Sequence, residues 1–161
     1  MMSDTAVMLP LPEFEARVAM EADQMRKEEP GFQAVEGDVR KWRGFILGTG
    51  IYEGGVFFFE ITLPREFPFK SPNVRILTPI YHPNFRKDRV CIGVLGKEWL
   101  PCYSLVNVVE SIRFLLNNPN PDDPLDIQCA KEFKKSFKSF KKKAIEMVKK
   151  HATWEQEWAK K

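Results

Sequence analysis

Apolar residues recur at helical spacing near the start of the chain. Residues 13–29 carry an apolar side chain every three or four positions, at Phe14, Val18, Ala22 and Met25. This spacing places all four on one face of an amphipathic helix. Pro12 precedes the segment, where the first turn of a helix tolerates proline, and Pro30 follows it. We therefore predict a first helix between these two prolines.

Helical spacing returns in the last third of the chain. Ser104 can cap a central, buried helix whose apolar positions are Leu105, Val108, Val109, Ile112, Leu115 and Leu116. The segment "NNPNPDDPL", residues 117–125, ends this helix and starts another, with Asp123 as the expected N-cap and Pro124 as the first helical residue. A last helix has an apolar face made of Phe137, Phe140, Ala144, Ile145 and Val148.

β-rich runs fill the region between these helices. "VRKWRGFILG" and "VFFFEITLP" are separated by "IYEGG", and this pattern predicts an antiparallel hairpin. A third run, "NVRILT" at 73–78, follows a proline-rich connection, and sequential strands with short turns form a meander. The order of elements predicts an α+β fold with helices on one side of an antiparallel sheet.

Residues 80–103 stay rich in apolar and aromatic side chains but lose regular spacing, which often marks a functional segment. They include Cys91, whose apolar neighbours alone favour a small buried residue over a nucleophile. A catalytic pair with His82 would need free access of the imidazole to the thiol, but a histidine before Pro83 is restricted and is better suited to bracing the turn. Asn84 suits either an oxyanion or a hydrogen bond within the turn.

Composition fits one soluble domain: the chain has 161 residues, 43% of them hydrophobic and 29% charged. No apolar run approaches the length of a membrane span and no signal peptide is visible, so we expect a cytoplasmic protein, also nuclear in a nucleated cell, with no membrane partner. Three cysteines without C-x-x-C spacing and two histidines argue against a disulfide framework and against a structural zinc site.

The net charge of +3 is unevenly distributed, because residues 131–150 hold nine lysines against two glutamates. A lysine run on a helix usually forms a solvated face, which is the interpretation favoured here. Binding to nucleic acid or to another anionic surface is the alternative. The absence of arginine from the run and the core spacing of its phenylalanines weaken that alternative.

Taken together, these segments resemble the ubiquitin-conjugating enzymes. The resemblance is carried by "GGVFFFEITLPREFPFKSPNVRILTPIYHPN", "VCIGVL", "EWLPCYSLVNVVESIRFLL" and "NPNPDDPL", in that order, within a likeness running from about Phe14 to Ala152. It implies the α+β ubiquitin-conjugating fold, a four-stranded antiparallel meander flanked by about four helices. The catalytic core domain would occupy 12–152, between an N-terminal extension at 1–11 and a short C-terminal extension at 153–161.

The resemblance also implies a reaction. Cys91 would accept ubiquitin or a ubiquitin-like protein as a thioester from an activating enzyme, and would pass it to a lysine amine of a substrate protein. A ligase, for example one of the RING type, would usually assist. The chain would need no metal or organic cofactor of its own, because ATP is consumed upstream. We expect a monomer, without nucleic acid as a partner.

The matching motifs imply roles for individual residues. Asn84 of "HPN" would support the oxyanion or a neighbouring loop, with His82 structural, and Asp123 of "NPNPDDPL" would position or deprotonate the incoming lysine, whose pKa is ordinarily about 10.4. Contacts for a ligase or activating enzyme would come from Phe69, Leu100, Pro101 and Arg17. For Phe69 the alternative is burial under its loop.

The chain departs from the family pattern at the site. Cys91 lies seven positions after Asn84, one fewer than expected, and the turn in "LGTGIYEGG" is also short. Gly93 stands where many members carry an acidic residue, which would leave more of the local acidity to Asp122 and Asp123. We therefore expect a compact or divergent member.

Two other functions stay open at this point. The first is a noncatalytic scaffold or binding protein with the same fold, which the joint presence of Cys91, Asn84 and Asp123 disfavours. The second is an unrelated thiol hydrolase that uses Cys91 and His82, which the turn geometry disfavours. The final segment, "TWEQEWAKK", could continue the last helix or contact a partner through its tryptophans.

Overall fold

The predicted α+β class is confirmed in a computed structural model that describes residues 7–154. The helices are α1 (Leu11–Glu28), α2 (Leu105–Asn117), α3 (Ile127–Lys135) and α4 (Phe137–His151). The strands are β1 (Phe32–Val35), β2 (Asp38–Leu47), β3 (Val56–Thr62), β4 (Asn73–Ile76), β5 (Phe85–Arg86) and β6 (Arg89–Val90). Residues 1–6 of the predicted N-terminal extension and the tail containing Trp158 lie outside the described part. No described helix is long and apolar enough to cross a membrane.

Strands β1 to β4 form one antiparallel sheet in chain order, which is the predicted meander. In the predicted hairpin, Trp42 of β2 pairs with Ile61 of β3, and Ile46 pairs with Phe57. Directly opposed residues project to the same side of a sheet, and all four side chains are almost completely buried. This face of the sheet shares one hydrophobic core with the helices.

The sequence patterns did not locate strand β1, although the resemblance implied a fourth strand. It is only four residues long, and its pairing with β2 shifts register between Ala34 and Val35. A two-residue turn at Glu36 and Gly37, with φ angles of 52° and 76°, leads from β1 into β2. Positive φ at both positions matches the twist that antiparallel strands require. The Glu-Gly pair was therefore the one local signal for this strand.

The predicted helix faces are mostly buried, but Leu115 of α2 and Ile145 of α4 are half-buried and Phe137 of α4 is exposed. All four predicted positions of α1 are buried, and so are Phe140, Ala144 and Val148 of α4. Phe137 departs from the prediction, because it lies in the first turn of α4 and stays 46% exposed. The lysines between 131 and 150 are all exposed, as a solvated face requires.

Helix α2 begins where its capping residue predicts. The Ser104 hydroxyl accepts a hydrogen bond from the Asn107 backbone N–H at 3.0 Å, and the Asn107 side chain accepts one from the Ser104 N–H at 3.0 Å. This reciprocal pair satisfies two N–H groups that the helix itself leaves unpaired. The apolar face behind it is buried, as expected for a central helix.

Helix α3 begins later than the sequence predicts. Asp126 is its N-cap rather than Asp123, and the first helical residue is Ile127 rather than Pro124. The preceding residues are held as a loop, because the backbone N–H of Asp126 and that of its predecessor both donate to the Pro83 carbonyl, at 2.9 and 2.8 Å. Tertiary hydrogen bonds to the His-Pro-Asn turn thus override a local helix-start signal.

The chain after α4 crosses the end of the sheet. The Val56 N–H donates to the Ala152 carbonyl at 2.7 Å, and Trp154 then lies edge-on to Phe45 and Phe58, at centroid distances of 5.0 and 6.2 Å. Both phenylalanines alternate with core residues and therefore project from the opposite face of the sheet. The start of the predicted C-terminal extension is packed on this outer face.

Candidate active site

His82 is buried at the turn that precedes Cys91. Its Nδ1 accepts a hydrogen bond from the Asn84 backbone N–H at 3.0 Å. Its Nε2 lies 3.0 Å from the Leu115 carbonyl oxygen and 3.2 Å from that of Leu116. Because carbonyls only accept, Nε2 carries the proton and Nδ1 does not. Both ring nitrogens are occupied, as the predicted bracing role requires.

The surroundings of His82 keep its ring uncharged. Tyr52 stacks on the ring at 5.3 Å between centroids, and Phe85 meets it edge-on at 4.7 Å. Burial lowers the pKa of His82 from 6.5 to about 4, although the two carbonyls partly oppose the shift. A neutral imidazole with no free nitrogen is poorly placed to take a proton from a thiol.

Asn84 directs its side-chain amide at the loop before α3. Its Nδ2 donates to the carbonyl oxygens of Asn120 and Asp123, at 2.9 and 3.0 Å, and its Oδ1 accepts from the Asn120 N–H at 2.8 Å. The side chain is buried, so these bonds replace water. This arrangement is the loop-supporting alternative of the sequence interpretation. The oxyanion role stays a prediction, because it would require the amide to leave these partners.

Cys91 follows β6 and is half-buried. Its backbone N–H donates to the Asn84 carbonyl at 2.9 Å, which fixes the cysteine to the same turn. Burial raises the pKa of the Cys91 thiol, the negative charge of Asp123 raises it further, and Arg89 opposes the shift. The thiol is therefore predominantly protonated at neutral pH.

Asp123 and Asp122 differ in what their carboxylates do. Asp123 is exposed, and its backbone carbonyl accepts a hydrogen bond from Asn84. Its negative charge raises the pKa of Cys91. Asp122 is also exposed, but Lys134 forms an ion pair with it at 2.8 Å. Of the two predicted acidic groups, Asp123 is thus the one whose charge acts on the cysteine.

Three of the four predicted ligase contacts lie on two loops that are joined together. The Trp99 indole N–H donates to the Pro68 carbonyl at 2.8 Å, and a second side-chain hydrogen bond, from Ser71 to Leu95, joins the same loops at 2.8 Å. This brings together an apolar patch, defined here as Phe69, Leu100 and Pro101. Phe69 is 42% exposed and Leu100 is 50% exposed, so the alternative of a buried Phe69 does not hold.

Arg17 is engaged inside the molecule. Its Nε donates to Glu21 at 2.9 Å, its Nη2 donates to the Tyr103 carbonyl at 2.8 Å, and its guanidinium lies 5.0 Å from the centre of the Phe67 ring. The side chain is only 18% exposed. Glu21 also accepts the Leu105 N–H at 2.7 Å, so this pair joins α1 to the start of α2. A role for Arg17 in partner binding stays a prediction.

Glu98 lies in the turn after Cys91, and the sequence interpretation did not single it out. Its carboxylate lies against Gly93, so closely that a Cβ added at Gly93 would overlap it. Five positions separate the two residues, and only the folded turn brings them together. Within residues 7–154, no group of three histidine, cysteine or acidic side chains could hold a metal ion.

Comparison with known proteins points to one family. A family model described as ubiquitin-conjugating enzyme matches residues 17–148. The chain is 47% identical to ubiquitin-conjugating enzyme E2 13 of Schizosaccharomyces pombe, over 84% of this chain and 96% of that protein. It is 34% identical to ubiquitin conjugating enzyme E2 B of Dictyostelium discoideum, again over 84% and 96%.

A solved structure agrees with these relatives. The E2 domain of a Toxoplasma gondii ubiquitin conjugating enzyme superposes with a TM-score of 0.78 at 32% sequence identity, covering 86% of this chain and 99% of that one. The matched segment contains the braced His-Pro-Asn turn, Cys91 and the Asn84-anchored loop. The chain therefore belongs to the ubiquitin-conjugating enzyme family.

Proposed function

We propose that this chain carries ubiquitin, or a ubiquitin-like protein, as a thioester on Cys91 and transfers it to a lysine amine. Family membership supports the proposal. The observation that carries it is that both ring nitrogens of His82 are occupied by hydrogen bonds. A free imidazole beside a thioester would activate water and hydrolyse it, whereas both nitrogens of His82 are engaged. The site thus suits an acyl carrier better than a thiol hydrolase.

The reaction comprises two acyl transfers. In the first, the Cys91 thiolate attacks the thioester held by an activating enzyme, a new S–C bond forms at Cys91, and the activating enzyme's thiolate leaves. In the second, an uncharged lysine amine attacks, the N–C bond forms, the S–C bond breaks with departure of the Cys91 thiolate, and the nitrogen's surplus proton passes to solvent. No redox change occurs, and the energy comes from ATP consumed before the first transfer.

Attack by lysine requires an uncharged amine, although the pKa of lysine is ordinarily about 10.4. Asp123 provides an exposed carboxylate beside Cys91 that can accept a hydrogen bond from the incoming amine. Asn84 holds this loop in place through its bonds to Asn120 and Asp123. We assign Asp123 to orienting the amine, with Asn84 acting through the loop.

The apolar patch is the proposed docking surface for a ligase, which includes RING-type ligases. Large exposed apolar side chains that a fold holds side by side commonly mark protein interfaces. The hydrogen bond from Trp99 to Pro68 keeps the two loops together without a partner. The same surface would serve the activating enzyme, so both partners would bind in turn.

The test is thioester formation. The chain is incubated with ATP, an activating enzyme and ubiquitin or another modifier, and the products are separated on gels with and without reductant. We expect a modifier-sized adduct that reductant removes and that Cys91→Ala abolishes. Cys91→Ser should give an adduct that survives reductant, because an oxygen ester is less reactive than a thioester.

The alternatives give different results in the same assay. A folded chain that forms no adduct with any modifier would indicate a noncatalytic scaffold. Hydrolysis that depends on both Cys91 and His82 would indicate a thiol hydrolase. Cys102→Ser is the matched control, because this second cysteine is exposed and should not matter.

A further inference from the structure

The Glu98 carboxylate occupies the space that a side chain at position 93 would fill. A Cβ placed on Gly93 would overlap the carboxylate carbon and one of its oxygens. The turn that carries Glu98 is held by backbone hydrogen bonds, since the N–H groups of Gly96 and Glu98 both donate to the Gly93 carbonyl, at 2.9 and 3.0 Å. Glu98 therefore stands in for an acidic side chain at position 93.

Position 93 lies on the same side of the chain as Cys91. Ile92 between them has extended backbone angles, φ −145° and ψ 134°. In extended backbone, side chains two residues apart project in the same direction, with Cα atoms about 7 Å apart. The carboxylate over Gly93 thus lies two positions along the chain from Cys91, on the side from which the cysteine side chain projects.

The charge of Glu98 is available to a ligand. The side chain is exposed, and no described residue forms an ion pair or hydrogen bond with its carboxylate. It lines an open groove together with Gly93 and Glu110. Glu110 differs from Glu98, because the positive charge of Arg113 acts on it. Glu98 is therefore the acidic group of this groove best placed to attract a new cation.

We propose that Glu98 is a substrate-positioning residue that holds the cationic amine of the attacking lysine beside the thioester on Cys91. This inference rests on the proposed function. A carboxylate favours the ammonium form of lysine, so Glu98 increases the occupancy of the amine near the thioester and does not act as its base. The ammonium proton passes to solvent or to Asp123 before the N–C bond forms and the Cys91 thiolate leaves.

Two carboxylates would then approach the thioester from different loops. Asp123 comes from the loop before α3, and Glu98 comes from the turn after Cys91. The glycine at position 93 is what makes room for the second carboxylate. Many family members carry an acidic residue two positions after the cysteine, where this chain has Gly93. In this chain the acidic group would instead be Glu98, five positions after Gly93.

The test compares a charged and an uncharged nucleophile. The chain is loaded with modifier, ATP is removed, and single-turnover discharge is measured with free lysine and with hydroxylamine, which is uncharged at neutral pH. For Glu98→Gln we expect about a fivefold higher half-saturating lysine concentration, with the difference shrinking as salt is added. Loading and discharge to hydroxylamine should be unchanged. Glu53→Gln, at an exposed site on the hairpin turn, is the matched control.

A relocated charge provides a second test. Gly93 does not have a positive φ, so a side chain is acceptable there once the Glu98 carboxylate is removed. The double variant Gly93→Asp/Glu98→Ala should recover most of the lysine affinity that Glu98→Ala loses. Gly93→Asp alone should gain little, because the exposed Glu98 carboxylate already provides one negative charge there and repels a second.

Several outcomes would overturn the proposal. One is discharge to lysine by Glu98→Gln at the rate and half-saturating concentration of the unmodified chain. Another is equal slowing of discharge to lysine and to hydroxylamine, which would indicate structural damage. Slower loading would instead place Glu98 at the modifier or the activating enzyme. Failure of the unmodified chain to form any thioester would overturn the proposed function and this inference together, whereas the other results overturn this inference alone.

Discussion

The side-chain amide of Asn84 donates a hydrogen bond to the Asp123 backbone carbonyl at 3.0 Å. This bond joins the His-Pro-Asn turn to the loop of Asp123, whose negative charge raises the pKa of Cys91. The Cys91 N–H bonds to the carbonyl of the same asparagine. One residue therefore connects Cys91 to the acidic loop. The position of Asp123 depends on Asn84, although the two are far apart in sequence.

Replacing Asn84 should loosen this loop. Asn84→Ala removes three buried hydrogen bonds, and we expect the free energy of unfolding in urea to fall by about 2–3 kcal/mol. Discharge to lysine should slow because Asp123 is no longer held. Asn118→Ala is the control, because it removes one exposed side-chain hydrogen bond, to the Phe114 carbonyl. Its free energy of unfolding should fall by less than about 0.5 kcal/mol. Slower discharge with unchanged stability would favour the oxyanion role instead.

His82 should make the stability of the protein depend on pH. Its pKa is about 4 in the folded chain, against 6.5 ordinarily, so between these values the unfolded chain binds more protons. Stability from His82 is complete above about pH 6.5 and is lost as the pH falls towards 4, by roughly 3 kcal/mol in total.

The measurement is urea unfolding at a series of pH values between 4.5 and 6.5. Within this pH range we assign the slope of unfolding free energy against pH to His82. Glu132, whose pKa is lowered from 4.5 to about 2, loses its contribution to stability only below pH 4.5. A His82→Asn variant should be less stable but should lack the slope. An unchanged slope in that variant would contradict a buried, neutral His82.

Asp123 should affect Cys91 and lysine in opposite directions. Asp123→Asn removes a charge that raises the pKa of the thiol, so alkylation of Cys91 by iodoacetamide at pH 7 should become faster. Discharge to lysine should become slower, while loading stays nearly unchanged. Arg89→Gln removes the opposing charge and should slow alkylation. The experiments use a Cys102→Ser background to remove the exposed thiol. Equal loss of loading and discharge would contradict the assignment.

Function and stability should separate at the apolar patch. Phe69→Ala truncates an exposed ring and should change the free energy of unfolding by less than about 1 kcal/mol, yet abolish stimulation of discharge by a RING ligase. Phe67→Ala, at a fully buried position two residues away, should cost about 3–5 kcal/mol. Full ligase stimulation of Phe69→Ala would show that the ligase docks elsewhere.

Local signals accounted for much of the fold. The apolar spacing of α2 and the cap at Ser104 act within one or two turns of chain, so the sequence pattern was sufficient for them. The start of α3 could not be predicted in this way, because Pro83 accepts two N–H groups from the loop before it. The local rule that favours Asp123 as the helix cap is overridden by these distant hydrogen bonds, and Asp126 caps the helix instead.

The site was predictable where motifs are contiguous and not where the fold brings residues together. The motifs identified Cys91 and Asn84, but no spacing rule predicts that Glu98 covers Gly93. Arg17 shows the converse, because a charged residue on a helix suggests a partner contact until its bonds to Glu21 and Tyr103 are seen. Both depend on side-chain contacts that only the folded chain creates.

The central claim is that Cys91 carries the modifier as a thioester, and intact-mass spectrometry tests it most directly. After incubation with ATP, an activating enzyme and ubiquitin or another modifier, we expect the 18.7 kDa chain to gain the mass of one modifier minus one water. Added thiol should remove this mass, Cys91→Ala should never acquire it, and Cys102→Ser should acquire it normally. A folded chain with no added mass for any modifier, or a reductant-resistant adduct that persists in Cys91→Ala, would contradict the account.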